Sequence, residues 1–448
     1  MPSTSIDSRV HGALFSTDEM RALLSDTALV QKWLDVEAAL AAAQAELGVI
    51  PQDKAEIIER HARAELLDLD AIGRYYRDSI TIVPLLKAFK DILPDNAGEF
   101  VHYGATSQDI LDTGLVLLQK DAYDVILRDM KACLGFALDL AQRHRDTVMA
   151  GRTHVVHAIP ITFGYKAAIW ADELGRNIER LEQMAPRVFV GQLAGAVGTL
   201  ATLTEQGLAI QERTMQRLGL GVPVVAWHVA RDSQAEFMNM LALAAGTLGR
   251  INREIFTLQR TEVLELEEPF YMGKVGSSTM PHKRNPQVLE NVLSLCRNVR
   301  ALAPTMLEAM ACENERDWSC YLSEWEAIPH ACHLLGAALE KSKNILENLI
   351  VYPEHMELNL SKQKGLMMSE CVMMHLADKL GRFTAHDIVY EGCMQAYEQE
   401  VPLKDVLMQM PVVTDSFTEA EVDAMLDPHA YIGLAPQFVD RVLAKYGR

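Results

Sequence analysis

The residues that can do chemistry lie in three short polar stretches. The densest is GSSTMPHKRNP, 276–286, with Ser277 and Ser278 ahead of His282, Lys283, Arg284 and Asn285. A phosphate loop needs GxxxxGK[ST] after a strand, and the order here is Gly273-Lys274 and then Gly276-Ser277-Ser278, so that reading fails. A solvated basic loop accounts for Lys283 and Arg284 but not for the serines and glycines. A mobile catalytic loop accounts for all of them. Gly273 and Gly276 permit unusual backbone angles. Consecutive N–H groups from 278 to 280, with Lys283, would lower the pKa of Ser277 and stabilise an adjacent anion. The second stretch is GRTHVVHAIP, 151–160. His154 suits a general acid or base, because imidazole titrates near neutrality. His154 and His157 have no carboxylate at helical spacing, so no metal site is expected. The third, HYGATSQDILDTG at 102–114, puts Thr106 or Ser107 where a helix begins, with Asp109 in its first turn. Such a pair is a helix cap, or, with the free N–H groups of that terminus, a carboxylate site.

The elements that must position these stretches read as helices. No proline occurs between Pro94 and Pro160, and within 109–145 apolar residues recur in steps of three and four from Ile110 to Leu140. The same spacing returns in 161–184, 233–267 and 287–312, and helices this long pack in bundles. Ser16 followed by Glu19 is a capping-box pattern. A helix is predicted from about Ala28 to Leu47, stopped by Gly48 with Pro51 beyond. The turn-rich 94–107 and the VYPEH around 350–353 are the expected boundaries, giving domains 1–106, 107–352 and 353–448. The Met-rich GLMMSECVMMH, 365–375, reads as core filling.

The chain has 448 residues and a formal net charge of −19, which argues against a general nucleic-acid or anionic-membrane binder. Seven irregularly spaced cysteines without a CxxC argue against a disulfide framework or zinc site and fit a reducing cytoplasm. Cys312 and Cys320 are expected to be packing residues rather than nucleophiles. The opening MPSTSIDSRVHG lacks the apolar core of a signal peptide, and no apolar run approaches a membrane span.

GSSTMPHKRNP resembles the signature of the fumarase/aspartase superfamily of lyases. HYGATSQDILDTG, GRTHVVHAIPITFG and GQLAGAVGT (191–199) resemble its other motifs, in the right order and over nearly the whole chain. The resemblance implies an all-α fold of three helical domains with a long central bundle. Four subunits would join their bundles in a twenty-helix core, and each site would draw on three subunits. It implies anti elimination from a dicarboxylate or tricarboxylate substrate, usually releasing fumarate, without metal or organic cofactor. By position, Ser277 would remove the Cβ proton and His154 would protonate the departing amine. Lys283 and Asn285 would hold the carboxylate that becomes an aci-carboxylate dianion, and Thr106, Ser107 and Thr153 would bind substrate carboxylates. Arg316, in Glu315-Arg316-Asp317, would contact substrate or pair with a buried glutamate. His102 and Tyr103 are read as interface packing.

Within the superfamily the chain is similar to adenylosuccinate lyase and to 3-carboxy-cis,cis-muconate cycloisomerase. His154 in GRTH and YPEHMELNL resemble the former, whereas GATSQDILDTG, IVPLLKAF and CYLSEWEAIP resemble the latter. The nucleotide-holding Arg-Tyr-Ser element is replaced by GALFSTDEM, the Arg-His-Asp region reads YRDSITIVPLL, and Tyr321 and Trp325 stand where a serine and an arginine grip phosphate. Two charge-assisted bonds of about 1.5–3 kcal/mol each are thereby lost. The expectation is a carbon–nitrogen lyase for an N-substituted aspartate smaller than adenylosuccinate, with Tyr321 and Trp325 lining an apolar leaving-group pocket. The alternatives are the cycloisomerase and a true adenylosuccinate lyase.

Overall fold

The computed structural model describes residues 4–76 and 82–447. Residues 77–81 of YRDSITIVPLL therefore lie outside the described residues. The expected all-α class holds: the described residues form eighteen α-helices, and their four short strands form two antiparallel pairs. Five helices carry most of the length, Ser107–Arg143, Phe163–Val188, Asp232–Leu258, Gln287–Glu308 and Trp318–Glu347, of 22 to 37 residues each.

Two compact units are built from non-contiguous segments. The first comprises 1–130, 176–249 and 291–341, and the second 131–175, 250–290 and 342–448. In the first, Asp26–Glu46 is the predicted N-terminal helix, capped by the Ser25 side chain and followed by Gly48 at φ 71°. Trp33 of that helix lies against Gly114, where a Cβ would stand 2.5 Å from the indole, so only glycine lets the two helices approach. The N-cap stands one residue later than expected, with Met20 and not Glu19 at its third position, so a cap forms without the reciprocal bond of a capping box. Thr17, not Ser16, caps Asp18–Leu23, and Ser16 Oγ instead meets His333 Nδ1 at 2.7 Å.

In the second unit, two features depart from the helical reading. Val148–Thr153 and Val156–Thr162 form an antiparallel hairpin. The segment read as helical to 267 leaves the helix at Leu258, and Leu266–Glu267 pairs with Ile350–Val351. Residues beyond 352 form short helices around a core that includes Met367, Met368, Cys371 and Val372, as expected of the Met-rich stretch, while Met374 is exposed. No helix of the described residues is long and apolar enough to cross a membrane.

Candidate active site

The candidate residues fall into two groups. Thr106, Ser107, Arg316, Tyr321 and Trp325 belong to the first unit, and Thr153, His154, Ser277, Lys283 and Asn285 to the second.

In the first unit the hub is Asp109, which is fully buried. Its carboxylate accepts from the amides of Thr106, Ala194 and Gly195 at 2.9–3.0 Å and faces His228 Nε2 at 2.9 Å. One side chain thus ties the start of the 107–143 helix to the GQLAGAVGT stretch, whose Gln192 also exchanges bonds with Thr113 Oγ1. Thr106 precedes the helix as expected, but its hydroxyl is not spent on capping. It accepts from Arg316 Nη1 at 2.8 Å, while Arg316 Nη2 donates to the Ala196 carbonyl at 2.9 Å. Arg316 is exposed and pairs with no glutamate among the described residues, so the buried ion-pair reading does not hold. Thr106 and Arg316 are adjacent donors at the positively polarised end of a long helix, a setting suited to a carboxylate.

Beneath them lies Arg231, which sequence reasoning missed. It is fully buried between Asp112 and Glu324, with Trp227 on one side and Tyr321 on another, 4.9 and 5.9 Å from the guanidinium. Tyr321 and Trp325, the expected pocket residues, are not a loose apolar lining. Tyr321 is 1% exposed, its hydroxyl makes no well-formed hydrogen bond among the described residues, and burial drives its pKa well above the usual value. Trp325 is half-buried and stacks on Trp33 at 5.9 Å. His102, read as packing, is instead bonded through Nδ1 to buried Glu37 at 2.7 Å. Burial alone would lower its pKa, but Glu37 and Asp109 outweigh that and raise it.

In the second unit, Thr153 and His154 sit at the exposed tip of the hairpin. His154 and Val155 form its two-residue turn at φ 49° and 64°. Glycine and asparagine are the residues such a turn favours, and a β-branched residue at positive φ is strained. Arg152 is the anchor of this tip. It forms a two-armed bond of 2.7–2.9 Å to Glu265, which Asn359 also donates to.

The 273–286 loop is anchored by the same acidic run. Arg284 meets Glu267, which also accepts from Tyr352 Oη, and stacks on Phe270 at 4.6 Å. Lys274 and the amides of Val288 and Leu289 share Glu268. Arg284 is therefore balanced, whereas Lys283 has no ion-pair partner among the described residues. Gly273 has the expected positive φ of 98°. Gly276 is needed for closeness rather than for backbone angle, because a Cβ there would stand 2.4 Å from the Lys283 carbonyl. Ser277 Oγ receives the amides of Met280 at 3.1 Å and Thr279 at 3.4 Å. Lys283 and Asn285 line a hollow of about 800 Å³ with Arg260, Met280 and Tyr352.

The chain matches the Lyase family over residues 14–301 and the Adenylosuccinate lyase C-terminus family over residues 365–442. It belongs to the fumarase/aspartase superfamily of lyases and is an enzyme of that class. It is 43% identical to an N-acetyl-S-(2-succino)cysteine lyase of Enterococcus italicus, over 96% of this chain and 95% of that one. It is 40% identical to an adenylosuccinate lyase of Methanocaldococcus jannaschii, over 96% and 94%. Among solved structures it resembles the 3-carboxy-cis,cis-muconate lactonizing enzyme of Pseudomonas putida. That likeness has a TM-score of 0.91 and 36% identity, and covers 97% of this chain and 98% of the other.

Proposed function

We propose that this enzyme eliminates fumarate from a small succinyl adduct, with Ser277 removing the Cβ proton. The observation that carries the reading is the pair of amides directed at Ser277 Oγ. A Cβ proton beside a carboxylate is very weakly acidic, so both the serine oxyanion and the growing charge on the carboxylate need fixed donors. The amides of Thr279 and Met280 serve the first, and Lys283 and Asn285 serve the second. Thr106, Ser107, Thr153 and Arg316 bind the substrate carboxylates.

The leaving atom has two readings, each with its own support. His154 supports nitrogen, because an amine cannot depart without a proton, and the substrate is then an N-substituted aspartate. Likeness to the succinocysteine lyase supports sulfur, because a thiol of pKa about 8.5 departs as the anion without help. In both, the aromatic setting of Tyr321 and Trp325 suits a leaving group smaller than a nucleotide. The test is a panel of S-(2-succino)cysteine derivatives, N-substituted aspartates, adenylosuccinate and 3-carboxy-cis,cis-muconate, read by fumarate formation and by loss of muconate absorbance. Fumarate from the small adducts at a rate at least about a hundred-fold above that from adenylosuccinate is expected from the two lost phosphate contacts. Consumption of carboxymuconate without fumarate from any adduct establishes the cycloisomerase instead.

In this proposal the residues of each site are supplied by different subunits of a homotetramer. The sequence boundaries near 106 and 352 then delimit the domains whose helices join. Unfolding and refolding Ser277→Ala and His154→Ala chains together restores activity on an N-substituted aspartate, which neither has alone, if the two residues of a site come from different subunits. Mixtures as inactive as their components contradict it.

A further inference from the structure

The segment that carries Arg316 holds a side-chain cluster that elimination does not use. Cys312 precedes the 318–347 helix, Asp317 caps its start, and Cys320 lies in its first turn. The ligand atoms of these three residues all lie within 4.8 Å of one another. Spacings of five and three residues form no familiar metal motif, so the sequence hides a grouping that the loop's reversal brings together.

We propose that Cys312, Asp317 and Cys320 form a binding site for a soft divalent cation, with zinc the best match. Tetrahedral zinc with bonds of about 2.3 Å to sulfur and 2.0–2.2 Å to a carboxylate places its ligand atoms about 3.5–3.8 Å apart. From separations of up to 4.8 Å the cluster needs a contraction of at most about 1.3 Å to reach that geometry. A disulfide would require the sulfurs to close to about 2.05 Å and leaves Asp317 without a part. The surroundings suit a cation. Glu313, Glu315 and Asp317 outnumber Arg316 on the segment, and Arg316 is engaged by Thr106 and Ala196. Nearby Arg231 is already matched by both Asp112 and Glu324. Asp317 uses Oδ1 for the amide and hydroxyl of Ser319, and its carboxylate also accepts from the Cys320 thiol, whose proton a metal would replace.

Binding releases two thiol protons to solvent, forms two metal–sulfur bonds and one metal–oxygen bond, and leaves a fourth position for water. It also ties 312 to 320 and so fixes the loop from which Arg316 reaches Thr106. Turnover should then fall when the cation binds.

The test uses reduced, chelator-treated full-length enzyme titrated with cobalt(II) and then zinc. The expected result is a thiolate-to-cobalt charge-transfer band saturating at one equivalent per chain and displaced by zinc. Cys312→Ser and Cys320→Ser should each abolish it, and Cys393→Ser should leave it intact. Zinc should inhibit the parent and the Cys393→Ser enzyme at least about ten-fold more strongly than the Cys312→Ser enzyme. No band in the parent, or a band unchanged in Cys312→Ser and Cys320→Ser, overturns the proposal. So does loss of these two thiols as a cystine on mild peroxide treatment in protein that takes up no cobalt. The spectroscopic readout is independent of which succinyl adduct the enzyme cleaves.

Discussion

At the scale of single residues, the two catalytic candidates stand in contrasting settings. Ser277 is held by two amides of its own loop, and His154 projects from a strained turn into open surroundings. Strain at such a position persists only when neighbouring structure fixes it, and here the Arg152–Glu265 pair does so. His154→Gln separates the two leaving atoms. For a nitrogen adduct, loss of the proton donor should lower kcat by about 10²–10⁴, the usual worth of general acid catalysis. For a sulfur adduct the loss should stay below about ten-fold, because the thiolate needs no proton. Steady-state kinetics on both adducts check this, and equal losses on the two would remove His154 from the role of leaving-group acid.

At the scale of elements, three buried glutamates in four residues organise the second unit. Glu265 holds the hairpin, Glu267 the 273–286 loop, and Glu268 the start of the 287–308 helix. All three are 4% exposed or less. Glu265→Ala strands the Arg152 charge and leaves Asn359 with one acceptor fewer, so a loss of about 3–5 kcal/mol in chemical denaturation is expected. A loss below 1 kcal/mol would mean that the hairpin is held by something else. This network was not legible in the sequence. An acidic run reads as a solvated face, and the partner of Glu265 is 113 residues away. The hairpin was hidden for a related reason, since His154 and Val155 carry none of the usual turn chemistry and Pro160 interrupts the strand pattern. The motif loops were legible because their chemistry is local. Ser277, Thr279 and Met280 are neighbours in sequence, and so are Thr106 and Asp109. Arg231 was not, because a lone arginine gives no sign of the Asp112 and Glu324 that surround it.

At the scale of the whole molecule, helical periodicity announced four of the five long helices but not Trp318–Glu347, whereas the resemblance to the superfamily rested on the motif stretches and not on that periodicity. Acid sensitivity is a molecular property that one residue illustrates. Burial, with Arg21 and His330 nearby, pushes the pKa of His333 down to about 4 against the opposing effect of Asp7. Its neutral form is favoured by folding, so the stability it contributes is present above about pH 6.5 and is lost as pH falls toward 4. That loss is at most about 3 kcal/mol. His333→Asn, which removes the titrating group, should flatten the denaturation profile across that window. An unchanged profile would assign the acid sensitivity to other groups.

The central claim is that Ser277 starts an elimination that releases fumarate from a small succinyl adduct. Its most direct measurement is fumarate formation from S-(2-succino) and N-substituted aspartate adducts by the parent enzyme and by Ser277→Ala, with adduct binding measured for both. The account predicts fumarate from the parent, a loss of at least about 10³ in kcat for Ser277→Ala, and a dissociation constant changed less than about five-fold. Fumarate release that survives Ser277→Ala, or none from any succinyl adduct, would contradict it.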